Sequence, residues 1–447
     1  MPPLDSLPRL PALPLIGNAF GIMRDPIEFQ RRGHERHGPI FGARVFGVPL
    51  TFVDPVGAPE LLEKVVRAPR EQLSMVEAYK LLVGRILGTE LFTELDKTMQ
   101  EGLSARHVMH HVGPTLAFVP ELLARRLPAD AGTLDGFRFA NDVVLHAIAH
   151  YVLGREAADL HADELAAAMH VLESDFSVLG MMLPLETASA RRRSAALEQM
   201  IARCEAEVRR RLAADALADD DFLDFVLARR EPGEVDLRAL ALRALGVMFG
   251  AHTNTAMTVS SVLSDLVEHP DDLARVREEL DGLPRDAALA PADFKSLVHL
   301  HRAINESLRL RSNGGIWRKA LCEFELDRHV LPAGTLIGAS MGLVHLDRAR
   351  YDSPHAFRPE RYAALTTDSF QSPSVVSTPL QFGAFGTGRG LCSGRPLAYA
   401  MLAGLLVPLL RDYEWTVDAR PRRWFTVMTG GLARPVGPLT LRYRRAR

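Results

Sequence analysis

The stretch Phe385-Gly-Thr-Gly-Arg-Gly-Leu-Cys392-Ser-Gly394 decides how the chain is read. It sets one cysteine in a glycine-framed turn, with Arg395-Pro396 and an apolar run from Leu397 to Leu410 behind it. The run predicts a helix, since Pro396 near its start lacks only an amide that would be unpaired there. Cys392 then stands where backbone N–H groups converge and the helix dipole favours negative charge. Such surroundings hold a cysteine as thiolate and make it a metal ligand. Gly388 and Gly394 permit tight turns and close approach of a flat cofactor. Phe385 is placed to shield the sulfur from water. The bland alternative is an unliganded cysteine buried in a turn.

Three further motifs accompany the loop. Glu306-Ser-Leu-Arg309 places an acid and a base three apart on a predicted helix, where they can pair. His345-Leu-Asp347 follows, and then Phe357-Arg-Pro-Glu-Arg361-Tyr. In this order and spacing they resemble the cytochrome P-450 (heme-thiolate) family, from about Pro11 to Arg444. The resemblance implies a mainly α fold with a minor β region, helical and triangular, with a long central helix over the heme. It implies heme b (iron protoporphyrin IX), with Cys392 as axial iron ligand and Phe385, Gly386 and Gly394 around it. It also joins Glu306, Arg309 and Arg361 in a buried network that positions the cysteine loop. A surface pair at i,i+3 would contribute well under ~1 kcal/mol.

The 447 residues suffice for a large core, and their composition is that of an ordinary globular protein. Length alone suggests two or three domains, yet no linker, repeat or low-complexity tract divides the chain. One catalytic domain, 18–447, is expected after a proline-punctuated segment, 1–17, that cannot form an apolar helix. That segment holds no signal peptide and no span of about 20 apolar residues, so a cytoplasmic monomer without a membrane anchor is expected. A net charge of −2 gives no argument for nucleic acid. Cys204, Cys322 and Cys392 are far apart, as in a reducing compartment. Cys204 falls in a charged helical stretch and Cys322 in an expected strand; neither is given a function.

Alternation over Phe41 to Asp54 predicts a hairpin. Apolar 3–4 spacing predicts helices over Val56 to Val66, Pro120 to Leu127, Phe137 to Leu153 and Leu297 to Leu310. Arg191 to Ala218 reads as a long, charged, solvent-exposed helix. Val235 to His269, closed by Pro270, is the longest periodic segment and would span roughly 50 Å. Strands are expected at Glu323 to Leu326, Thr335 to Ala339 and Leu439 to Tyr443.

For the heme propionates, the resemblance implies Arg318 and Tyr79 as donors. Most relatives carry Arg or His two residues before the cysteine; here that residue is Gly390, and Arg389 either reaches a propionate or faces solvent. The helix after Phe92 shows no Trp/Arg or His/Arg pair for the same task. Relatives with monooxygenase activity read (A/G)-G-x-(D/E)-T on the long helix, whereas this chain reads Gly250-Ala251-His252-Thr253-Asn254. Ala251 is expected against the heme. Thr253 replaces the acid and Asn254 the alcohol, both facing the reacting atoms. An amide donates a hydrogen bond but does not readily relay a proton. Asn254 as a neutral cap at a helix kink is the alternative. The substitution also occurs in the branch of prostacyclin synthase and the bile-acid sterol hydroxylases, while the Tyr79 segment is similar to sterol 14-demethylases.

A hydrophobic pocket is expected from family positions around Met181, Met182, Phe249, Ile316 and Met428. The implied function is monooxygenation-type oxidation of a hydrophobic small molecule, lipid-like or a natural-product intermediate. It would use electrons from a separate ferredoxin/reductase partner. Reductant-independent chemistry is the rival reading: isomerisation or dehydration of a peroxide, or nitrene-type transfer from an N–O-activated substrate. A heme-binding sensor without turnover is the third.

Overall fold

The computed structural model describes residues 7–446 apart from 94, 174–187, 215, 216, 218, 219, 231–235, 285–288, 313, 364–381 and 426–433. Helices carry most of the described chain. The described strands are β1 (Ile40–Val45), β2 (Val48–Val53), β3 (Leu73–Ser74), β4 (Ala131–Asp135), β5 (Gly315–Ala320), β6 (Phe324–Leu326), β7 (His329–Leu331), β8 (Leu336–Ser340), β9 (Tyr413–Ala419), β10 (Arg423–Phe425), β11 (Arg434–Val436) and β12 (Thr440–Arg445). The main sheet runs β1-β2-β8-β5-β3.

The expected hairpin is β1 against β2, with Ile40 opposite Val53. Its two-residue turn, Phe46-Gly47, holds both residues at positive φ, 47° and 82°, the twist that lets short hairpins close. Phe41 and Phe52 stack across it at 5.2 Å, and Phe52 meets Trp317 edge-on at 5.7 Å. Residues before the hairpin bind to its outer strand: the Gly42 N–H donates to the Pro8 carbonyl (2.8 Å) and the Asn18 N–H to the Arg44 carbonyl (2.6 Å).

The long helix is Leu237–Glu268, started by the Asp236 side chain, which accepts from the Ala239 N–H at 3.0 Å. Pro270 lacks the amide to continue it and opens a separate helix, Pro270–Asp281. Thr255 through Leu266 are all buried. Around them pack the helices Gly136–Glu173, Ala188–Leu212, Val298–Arg311 and Arg395–Arg411. The last of these follows the cysteine loop and is buried on nearly every side, as a helix apolar all round must be.

Two expectations need correction. The charged helix, Ala188–Leu212, is not a solvated rod. It packs Met200, Ile201, Cys204 and Val208 inward and buries Arg211. That guanidinium donates to Glu207 (2.7 Å), Asp221 (2.7 Å), Asp224 (2.6 Å) and the Leu153 carbonyl. The contact falls where the Gly136–Glu173 helix breaks at Gly154, leaving carbonyls that need a donor. Full pairing is what makes a buried arginine tolerable. Cys322, expected in a strand, is exposed in the bend before β6. Cys204 is buried, which pushes its thiol up to about 12.

Burial lowers the pKa of His150, His301 and His345 from 6.5 to about 4. Between these values only the unfolded chain binds the protons, so stability is complete above about pH 6.5 and is lost as pH falls towards 4. The urea midpoint should therefore drop steadily from about pH 6.5 to about pH 5, reporting a loss of stability of up to ~2 kcal/mol per histidine. A midpoint flat across that window would show that these rings are not buried neutral.

Candidate active site

Cys392 sits in a loop with little freedom. Its N–H donates to the Phe385 carbonyl at 2.8 Å. Gly386 and Gly388 have φ of 77° and 59°, and a Cβ on either would lie 2.6 Å from the Gly390 carbonyl oxygen or 2.9 Å from that of Val66. Only glycine fits both conditions. Gly394 occupies the N-cap of the Arg395–Arg411 helix.

The Cys392 side chain is open to solvent, yet it lies deep enough for burial to push its thiol up. Both hold for a group at the bottom of a recess. The Gly394 N–H, the Arg395 charge and the Arg395 N–H pull the pKa down without overcoming burial. The helix terminus therefore lowers the cost of a thiolate, and a bound metal ion would lower it further.

Strand β5 turns Ile316 and Arg318 to one face and Trp317 to the other. Arg318 is 4% exposed, and its Nη1 donates to the Trp317 carbonyl at 2.8 Å. Tyr79, on the helix Met75–Leu87, stacks on Phe92 with ring centres 6.3 Å apart and planes at 11°. Burial raises the phenol pKa, the Arg318 charge lowers it and Cys392 raises it, so both groups are near enough to act on the phenol. Phe92 also lines a surface cavity of about 570 Å³ with Leu81, Lys80 and Lys319. Arg389 is exposed on the turn Gly388–Gly390.

On the long helix, Gly250 and Asn254 are exposed while Phe249, Ala251 and Thr253 are half-buried, just before the fully buried run from Thr255 to Leu266. His252 points elsewhere, its Nε2 3.1 Å from the Asn141 carbonyl. The Thr258 hydroxyl donates to the Asn254 carbonyl at 2.7 Å, a back-bond of the kind that bends helices. Met181, Met182 and Met428 lie outside the described residues.

Glu306 and Arg309 are both fully buried. Glu306 accepts from Arg309 (2.7 and 2.9 Å), from Arg361 Nε (3.2 Å) and from the Arg358 N–H (3.0 Å). Arg309 also donates to the carbonyls of His345 (2.7 Å) and Pro354 (2.6 Å). Two side chains carry this network to the cysteine loop. His345 Nε2 accepts from the Gly383 N–H (3.0 Å), which leaves Nδ1–H to donate to the Ser312 carbonyl (2.9 Å). Tyr399 donates to Asn305 at 2.6 Å and packs on Phe385 at 5.3 Å. The sequence reading missed Tyr399 because it stands in an apolar run that looks like plain core. A hydroxyl among aliphatic residues was the available signal.

An interior sulfur with N–H groups turned towards it, and phenol and guanidinium donors to one side, is the donor set of a heme-thiolate enzyme. The comparison with known proteins gives the family. Residues 120–442 match the model for cytochrome P450, and the chain belongs to that family of heme b-containing oxidoreductases. It is 25% identical over 442 residues to the sterol 14alpha-demethylase of Mycobacterium tuberculosis, covering 96% of each chain. It is 24% identical over 430 residues to putative cytochrome P450 120 of Synechocystis, covering 93% of this chain and 92% of that one. The structure of retinoic acid bound cyanobacterial CYP120A1 superposes with a TM-score of 0.76 at 20% identity, over 99% of this chain and all of the other. Among the described residues no helix is long and apolar enough to cross a membrane.

Replacing Glu306 by Ala would leave Arg309 buried without its counter-charge and should destabilise the fold by about 3–5 kcal/mol, with loss of bound heme. Denaturant titration checks the first effect and pigment content the second. A loss below ~1 kcal/mol would place the pair in the class of surface ion pairs.

Proposed function

We propose that the protein is a monooxygenase-type P450 acting on a hydrophobic, lipid-like small molecule, with electrons from a separate ferredoxin/reductase partner. The observation carrying this reading is that Cys392, in its glycine-framed loop, and Asn254, midway along the long helix, are open to solvent although the helices beside them are largely buried. Relatives whose names specify sterol or lanosterol demethylation, and a structural neighbour holding retinoic acid, favour an extended apolar substrate.

The residues fit the heme in this way. Cys392 holds the iron, Phe385, Gly386 and Gly394 frame the sulfur, and Ala251 gives a small side chain where the long helix meets the cofactor. Tyr79 and Arg318 donate to the propionates, and exposed Arg389 is the outermost cation of the set. Bound there, heme supplies the oxygen and electron chemistry, with the thiolate raising its electron density. The Glu306–Arg309–Arg361 network keeps the loop in place. Phe249 and Ile316 contribute apolar wall. Thr253 and Asn254 hold hydrogen bonds at the distal side; neither is an acid, so protons reach the cavity through water.

Turnover of candidate sterols and retinoids with and without NAD(P)H and a reductase system tests the reading. Product only with reductant supports it. Product without reductant replaces it by isomerase, dehydratase or nitrene-type chemistry, and spectral binding with no turnover in either arm makes the protein a sensor. Asn254→Thr should preserve or improve coupling of electron use to product in a monooxygenase. Unchanged coupling would make the position catalytically neutral.

A further inference from the structure

The cysteine loop lacks a basic side chain two residues before its cysteine, and the space is filled from elsewhere. A Cβ on Gly390 would lie 2.4 Å from Arg318 Nη2, 3.2 Å from Cζ and 3.3 Å from Nη1. The guanidinium therefore lies directly against the loop backbone at residue 390, where any side chain would project. It is 4% exposed, is bonded to the Trp317 carbonyl, and is near enough for its charge to act on Tyr79. We infer that Gly390 is a positioning residue: its missing side chain seats the Arg318 guanidinium against the cysteine loop, and that seat fixes the arginine as an anchor for an anionic edge of the cofactor.

The inference rests on the heme-thiolate reading. It requires Gly390 and Arg318 to act as one unit, whereas a glycine needed only for its backbone would act alone. Gly390→Ala adds one methyl against the end of a flexible side chain, so the fold survives while the guanidinium is displaced.

The test is a double-mutant cycle on the reconstituted full-length protein. It measures the rate of heme transfer to a heme-scavenging apoprotein, with the carbonyl spectrum of the reduced protein as control. Arg318→Ala removes a charge-assisted hydrogen bond and should speed heme loss about tenfold. Gly390→Ala should do nearly the same, and the double variant should lose heme no faster than Arg318→Ala. Multiplying effects, about a hundredfold in the double variant, would overturn the coupling, as would a Gly390→Ala protein that holds heme like wild type. If wild type itself shows no thiolate-type carbonyl spectrum, the heme-thiolate reading fails instead.

Discussion

An arginine with no solvent exposure is an expensive thing to fold, and this chain builds its site around one. Arg309 reaches no water, so its donors must all find acceptors inside the protein, and they find Glu306 and the carbonyls of His345 and Pro354. Glu306 shares the helix of Arg309, whereas the two carbonyls lie at the end of a short helix and in a turn beyond it. The charge therefore organises parts of the chain that apolar packing would leave loose. The loop with Cys392 is tied to the same centre through His345 and Tyr399.

The long helix changes character along its length. Its second half is buried, with Asp265 accepting from Ser307 and Arg311, whereas Gly250 and Asn254 near its middle are exposed. The Thr258 hydroxyl competes for the Asn254 carbonyl, which weakens the regular ladder at the position where the sequence departs from the acid–alcohol pair.

Much of this was legible in the sequence because its signals are local. The glycine spacing around Cys392, the apolar run after Pro396, the alternation of the hairpin and the Glu306/Arg309 spacing each need only a few neighbouring residues. What escaped depends on distant partners. Strand β4, Ala-Gly-Thr-Leu-Asp, has little intrinsic strand character and exists because β12 pairs with it. The charged Ala188–Leu212 helix looked solvated because nothing in its own sequence announces that Asp221, Asp224 and the broken end at Leu153 await Arg211. The fit of Arg318 against Gly390 joins residues 72 positions apart and has no sequence pattern at all.

The bonds from Pro8 and Asn18 to the first strand bear on how molecules of this protein meet one another. That strand lies at the rim of the main sheet, where unpaired amides and carbonyls would otherwise be a template for a neighbouring molecule. The described part of the proline-punctuated segment occupies part of this rim while offering few donors of its own. It therefore serves as a blunt selvedge, and trimming it would leave a sticky border prone to aggregation rather than a smaller enzyme.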